Sequence, residues 1–350
     1  MTLLDDASHR RFNPLTREWV LVSPHRTQRP WLGQVERTAR PVERDYDPEC
    51  YLCPGNRRAN GEFNPPYSQT LAFLNDFPAL QREAGGEAID EGGLIVAEPE
   101  RGVAKVVCFS PRHDLTLARM SVDEIEPVVK IWTDEYRALG ALDEIGWVQI
   151  FENRGAMMGA SNPHPHCQIW ATESLPNEAV KELASQRAYQ DARGGCLLCD
   201  YLALELDAKA RIVCENASFV TLTPFWAVWP FETLVLPRRH FGAMDEMSAA
   251  EARDLADILR QTTIRYDNLF EVSFPYSMGF HQSPTDGVAH PEQHFHAHFY
   301  PPLLRSASVR KFMVGFELLG TPQRDITPES AAARLREAPA VHYLDRLAGS

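Results

Sequence analysis

The chain has 350 residues, 44% of them hydrophobic and 24% charged, which suffices for one large domain or for two halves of about 150 to 200 residues. Its 48 Asp and Glu against 35 Lys and Arg give a formal charge of -13; this disfavours nucleic acid or an anionic membrane as a partner, so an anionic substrate needs locally placed cations. No run approaches the roughly 18 apolar residues of a membrane span, and the start, Met1-Thr2-Leu3-Leu4-Asp5-Asp6, lacks a signal-peptide pattern, so a cytoplasmic location is expected.

In chain order, residues 11–24 predict a turn and a strand, followed by a basic loop whose Arg26 and Arg29 suit bidentate phosphate contacts. Cys50 and Cys53 have the spacing of a metal knuckle, in which two thiolates reach one tetrahedral ion. Seven cysteines, four of them in two C-x-x-C pairs, fit metal thiolates in a reducing compartment better than a disulfide framework. Asn75 and Asp76 read by themselves as a turn, and the polar, Gly-rich residues 81–99 as a loop. A strand over 103–109 leads to His113. Ser121 and Glu124 then form a capping box before an amphipathic helix ending near Gly140, with Pro127 expected to shift its first turn. A strand over 147–152 delivers Asn153 and the Gly-rich loop 154–161.

Residues 162–170, Asn-Pro-His-Pro-His-Cys-Gln-Ile-Trp, are the stretch around which the rest is organised. In an extended chain alternate side chains share a face, so His164, His166 and Gln168 are expected to point the same way. Pro163 and Pro165 are expected to hold this strand at a sheet edge. The second half repeats the order: Cys196 and Cys199, a strand over 233–236, His240, a capping box at Ser248 and Glu251, a helix to about Asn268, then His294, His296 and His298. An internal duplication follows, with its boundary in the polar stretch 174–195 and halves of 1–178 and 179–350. A further helix is expected at 329–337. The predicted class is α+β, a duplicated unit of mainly antiparallel strands with helices packed on the sheet.

His-Pro-His-Cys-Gln after Gly-Ala-Ser-Asn-Pro resembles the active-site signature of the galactose-1-phosphate uridylyltransferase family, the transferase branch of the histidine-triad superfamily, whose sheet is a half-barrel. The resemblance extends along nearly the whole chain. It implies a two-step exchange in which His166 takes a uridylyl group from UDP-glucose and passes it to galactose 1-phosphate. Neutral imidazole suits this role, being unprotonated near pH 7 and able to leave again. Gln168 stands where hydrolytic relatives carry a third histidine; an amide donates to a phosphoryl oxygen but supplies no proton, which favours transfer over hydrolysis.

The resemblance further implies uridine contacts from Asn75 and Asp76, and phosphate and ribose contacts from Asn153, Gly159, Ala160, Ser161 and Gln168. Lys311, Phe312, Phe316, Glu317 and Gln323 would meet the hexose phosphate, and Arg26 and Arg29 would act across the interface of a homodimer. Cys50, Cys53, His113 and His164 would hold zinc as a closed set that braces the nucleophile strand. Glu182, His281, His296 and His298 would hold a structural iron, or a second zinc. Aligning the halves sets Cys196, Cys199, His240 and His294 opposite the zinc set, either as a duplicate zinc site or as relics buried like small hydrophobes. Two rivals stand beside this reading: an ADP-sugar or dinucleotide phosphorylase of the same superfamily, and a non-catalytic zinc protein binding nucleic acid, which the charge opposes.

Overall fold

The computed structural model describes residues 3–4, 7–28, 44–83 and 85–348; Arg29 lies outside them. The first half comprises β1 (His9–Asn13), β2 (Glu18–Val22), β3 (Leu71–Leu74), β4 (Ile89–Glu91), β5 (Ile95–Ala97), β6 (Gly102–Cys108), α1 (Val122–Gly140), β7 (Trp147–Arg154) and β8 (His166–Thr172). Two helices, α2 (Asn177–Arg193) and α3 (Leu197–Ala208), lead to β9 (Ile212–Glu215), β10 (Phe219–Leu222), β11 (Thr233–Pro237), α4 (Ala249–Phe270), β12 (Tyr276–His281) and β13 (His296–Tyr300). The chain ends in β14 (Leu303–Ser306), β15 (Val309–Arg310), α5 (Phe316–Leu319), β16 (Gln323–Arg324), α6 (Pro328–Glu337) and α7 (Tyr343–Ala348).

Nine strands form one antiparallel sheet in the order β3-β6-β8-β7-β12-β13-β11-β10-β9. Outward from the β7–β12 pair, β7-β8-β6-β3 on one side matches β12-β13-β11-β10 on the other, and α1 and α4 occupy equivalent places. The duplication is therefore a pseudo-twofold, with the two halves fused through one strand pair. Apolar residues of α1 (Ile125, Val128, Trp132) and α4 (Leu255, Ile258, Leu259) share a single core with the sheet. Trp132 packs on Phe109 of its own half and on Phe280 of the other, with ring centroids 5.6 and 5.2 Å away. The α+β class is thus observed, with helices covering an antiparallel sheet.

Several local expectations are corrected. β8 lies inside the sheet, between β6 and β7, rather than at an edge. Its paired register ends at Cys108↔His166, so Pro163 and Pro165 precede the ladder and remove no hydrogen bond from it. Residues 89–97 form the β4–β5 hairpin instead of a plain loop; Asp90 Oδ1 accepts the Gly93 N–H at 2.7 Å and Gly93 takes φ 73°. Pro127 lies inside α1 without displacing its start, because the Ser121–Glu124 capping box fixes the first turn. The linking stretch 174–195 is largely the 17-residue helix α2.

Candidate active site and metal centres

On β8, Cys167 turns into the core, where its sulfur accepts the Trp132 Nε1–H at 3.2 Å. His166 and Gln168 take the half-buried positions of the alternate face. His166 Nδ1 donates to the His164 carbonyl at 2.7 Å, which places the proton on Nδ1 and leaves Nε2 with its lone pair. Burial lowers the His166 pKa, with the His164 carbonyl pulling the other way, so the ring is neutral and nucleophilic at neutral pH. Gln168 Oε1 accepts the Trp170 Nε1–H at 3.0 Å. The amide is thereby oriented with its NH2 left to donate.

One small cavity is lined by His166, Gln168, Asn153, Gly159, Ala160 and Ser161. Asn153 comes from the end of β7, where its Oδ1 accepts the Ser277 hydroxyl of β12 at 2.5 Å across the seam between the halves. Gly159 closes the loop at φ 78°, a left-handed conformation that glycine adopts without strain.

His164 is not part of the strand. It sits in the bend before β8 and turns into a buried group with Cys50, Cys53 and His113, all of whose ligand atoms lie within 4.8 Å of one another. Cys53 Sγ is 3.5 Å from His164 Nδ1 and 3.6 Å from His113 Nδ1. Tetrahedral zinc with bonds of about 2.3 Å to sulfur and 2.0 to 2.1 Å to nitrogen requires sulfur–nitrogen separations of about 3.6 Å. Burial lowers the His164 pKa to about 3, so its ring is the neutral ligand such an ion needs. Its Nε2 donates to Ser110 O at 2.9 Å, the outer contact that sets a ligating tautomer. Two residues that the sequence reading missed belong to this group. Asn162 accepts the His164 N–H at 2.9 Å and donates to Cys50 Sγ at 3.3 Å, and the Tyr67 hydroxyl lies between Leu52 O and His164 Nε2. Adjacency to the His-x-His motif was a signal for Asn162; Tyr67 carried none.

Glu182 from α2 meets His281 of β12 and His296 and His298 of β13. Glu182 Oε2 is 2.8 Å from His281 Nδ1 and 3.2 Å from His296 Nε2. His296 Nδ1 donates to the His294 carbonyl at 2.7 Å, so its Nε2 lone pair faces a carboxylate oxygen. Neither nitrogen of buried His298 has a hydrogen-bond partner. Acceptors facing acceptors in a buried site, with orphaned imidazole nitrogens beside them, fit a bound cation. A carboxylate with three imidazoles suits a divalent first-row metal. The third set, Cys196, Cys199, His240 and His294, also converges within 4.8 Å.

The registers relate these centres. Gln168 faces Phe151 as His298 faces Gly279, and His281 faces His296. Asn153, His166 and Gln168 therefore occupy in one half the places that His281, His296 and His298 occupy in the other. The position of His166 in the first half is thus taken in the second by His296, a member of a group that could hold a metal ion.

The remaining expected residues gather elsewhere. Lys311 Nζ is 2.5 Å from Glu317 Oε1, which also accepts the Gln323 N–H at 3.0 Å. Gln323 and Arg26 converge on Asp325, at 2.6 and 3.3 Å. Phe312 packs under Arg310, and Phe316 is exposed on α5. This cluster borders β16, which pairs with β2 in a small three-stranded sheet, rather than the strands carrying His166. Asn75 and Asp76 follow β3, two strands from β8; Asn75 caps its own turn through the Phe77 N–H, and Asp76 lies 3.7 Å from Arg58.

Models of the families described as galactose-1-phosphate uridyl transferase, N-terminal domain, and galactose-1-phosphate uridyl transferase, C-terminal domain, match residues 1–176 and 182–347. The chain is 52% identical to the galactose-1-phosphate uridylyltransferase of Haemophilus influenzae, over 97% of this chain and 96% of that protein. It is 53% identical to the enzyme of that name from Rattus norvegicus, over 96% and 89%. Among solved structures, a uridylyltransferase superposes with a TM-score of 0.75 at 26% identity, covering 95% of this chain and 98% of the other. An ADP-glucose phosphorylase from Arabidopsis thaliana shares the fold, with a TM-score of 0.74 at 24% identity over 95% and 100%.

Proposed function

Because the chain belongs to the galactose-1-phosphate uridylyltransferase family, we propose that it exchanges uridylyl groups between UDP-glucose and galactose 1-phosphate through a covalent intermediate on His166. The observation that carries the assignment to His166 is its hydrogen bond: Nδ1 is committed to the His164 carbonyl, so Nε2 is the atom left to attack. Nε2 bonds to the α-phosphorus of UDP-glucose as the bond from that phosphorus to the bridging oxygen breaks, and glucose 1-phosphate departs with the electron pair. A phosphate oxygen of galactose 1-phosphate then attacks the same phosphorus, the P–N bond breaks, and UDP-galactose leaves a neutral imidazole behind.

The Gln168 NH2, oriented by Trp170, donates to a phosphoryl oxygen as charge builds there. Asn153, Gly159, Ala160 and Ser161 hold phosphate and ribose, and Asn75 and Asp76 the uracil end. Lys311, Phe312, Phe316, Glu317 and Gln323 meet the hexose and its phosphate, and Arg26 and Arg29 reach the nucleotide site from a second copy in a cytoplasmic homodimer. Residues 1–178 would thus supply the nucleophile and residues 179–350 the sugar-phosphate contacts. Cys50, Cys53, His113 and His164 would hold zinc, and Glu182, His281, His296 and His298 iron or zinc. Both ions would be structural; the first fixes His164, whose carbonyl orients the nucleophile.

Intact-mass measurement after mixing with UDP-glucose alone tests this reading. The unaltered protein should gain one uridylyl group, and His166→Gly should gain none while keeping its zinc and its circular dichroism. A uridylylated species in that variant would refute the assignment.

A further inference from the structure

We propose that Cys196, Cys199, His240 and His294 bind a further zinc ion, which locks His296 in the orientation that the Glu182 centre requires. The donors are two thiols and two imidazoles from four separate places: the N-cap of α3, its first turn, the loop after β11, and the residue two before β13. His294 Nδ1 lies 3.2 Å from Cys196 Sγ and 3.4 Å from Cys199 Sγ, and His240 Nδ1 lies 3.7 Å from Cys199 Sγ. These match the separations in the first-half set, 3.5 and 3.6 Å, and those that tetrahedral zinc imposes. Both histidines present Nδ1 to the sulfurs. His240 Nε2 donates to Pro291 O at 3.2 Å, an outer contact of the kind that sets a ligating tautomer. The two imidazoles meet edge to face at 5.1 Å, as His113 and His164 do at 5.5 Å.

The set is therefore more than a relic of the repeat. Relic cysteines packed only as small hydrophobes would have no polar partner, whereas Cys196 and Cys199 are partly exposed and aim at imidazole nitrogens. What the ion does follows from the same symmetry. His164 O accepts from His166 Nδ1 at 2.7 Å, and His294 O accepts from His296 Nδ1 at 2.7 Å. In each half a Cys2His2 set anchors the residue whose carbonyl dictates which nitrogen the next histidine presents. In the first half that nitrogen faces the substrate cavity, and in the second it faces Glu182.

Metal content tests this independently of the transferase reading. Cobalt exchanged into the full-length protein should give thiolate-to-metal absorption from two sites. In Cys196→Ser/Cys199→Ser that absorption should fall by about half and zinc by one ion per chain, while the Glu182 centre loses metal at about 10-fold lower chelator concentration, as expected when an outer contact to a ligand is lost. His240→Gln, which removes one ligand at the exposed rim, guards against misfolding of the double variant and should lose one zinc per chain at chelator concentrations that leave the unaltered protein loaded. Unchanged absorption and zinc content in the double variant would overturn the site, as would a Cys196–Cys199 disulfide in protein purified without oxygen. Loss of that zinc with an unaltered Glu182 centre would overturn the coupling.

Discussion

Gln168 and His298 occupy equivalent positions in the two halves, one an amide and the other an imidazole. The amide cannot titrate, so on the proposed mechanism a uridylyl group on His166 would find no proton donor or acceptor at this position to help water attack. Gln168→His restores one. The variant should release more UMP relative to transferred product, and an unchanged ratio in a coupled assay would show that Gln168 does not govern the partition. A second residue makes a prediction in pH. Burial, with Arg154 and the Tyr276 hydroxyl pulling the other way, raises the Glu152 carboxyl from 4.5 to about 7. The folded chain thus holds a proton there that the unfolded chain gives up, and that contribution, complete below 4.5, is lost as pH rises through about 7. Glu152→Gln keeps an acceptor for the Tyr276 hydroxyl, 2.9 Å away, without the charge. Its stability relative to the unaltered protein should improve by ~2 kcal/mol between about pH 5 and about pH 8; urea unfolding that gives the same difference at both would refute it. The common face of His166 and Gln168 was legible in the sequence because residues two apart on a strand share a face, whereas His164, in the bend before β8, leaves that face for the Cys50 group. Tyr67 and Trp170, which hold His164 and Gln168, were not legible, since their roles depend on where hydroxyl and indole land after folding.

At the scale of elements, α1 and α4 begin with the same capping box. Ser121 Oγ accepts the Glu124 N–H at 3.3 Å, and Ser248 Oγ accepts the Glu251 N–H at 3.2 Å. Ser121→Ala and Ser248→Ala should each cost ~1 kcal/mol. Near the caps, Arg253 of α4 reaches Asp123 and Glu126 of α1 from an exposed position, a connection too solvated to couple them strongly. The double variant should lose roughly the sum, ~2 kcal/mol, and a denaturation midpoint shift well short of that would reveal a shared first turn. These helices were legible because caps and 3.6-residue periodicity are local. The place of β8 inside the sheet was not, because proline signals that a residue cannot donate but not whether it lies within the ladder. The β4–β5 hairpin was hidden for a related reason: all six of its strand residues are exposed, so no apolar alternation marks it.

At the scale of the molecule, the repeat predicted from the order of motifs became a pseudo-twofold sheet, but the separation of the two expected substrate-binding groups had no trace in the sequence. His166 and Asn153 lie near the β7–β12 seam, whereas Lys311, Glu317, Gln323 and Arg26 are tied together beside the small sheet. Around that cluster Phe312, Val314, Phe316, Leu318 and Leu319 are 44%, 59%, 60%, 71% and 91% exposed. Exposed apolar side chains of this kind next to paired charges fit an association surface. If Arg26 reaches the substrate from a second copy, its link through Asp325 to Gln323 and Lys311 makes the whole cluster arrive with it. Two inactive variants should then complement each other. In a mixed dimer of His166→Gly and Lys311→Ala chains, one site combines both lesions and the other combines the intact His166 of one chain with the intact Lys311 of its partner. Random reassociation of an equimolar mixture makes about half of the dimers mixed, each with one working site of two, so transfer should recover to about a quarter of that of the unaltered protein. Mixed dimers verified by mass that show no activity would place both groups in the same chain's site and remove the case for a shared one.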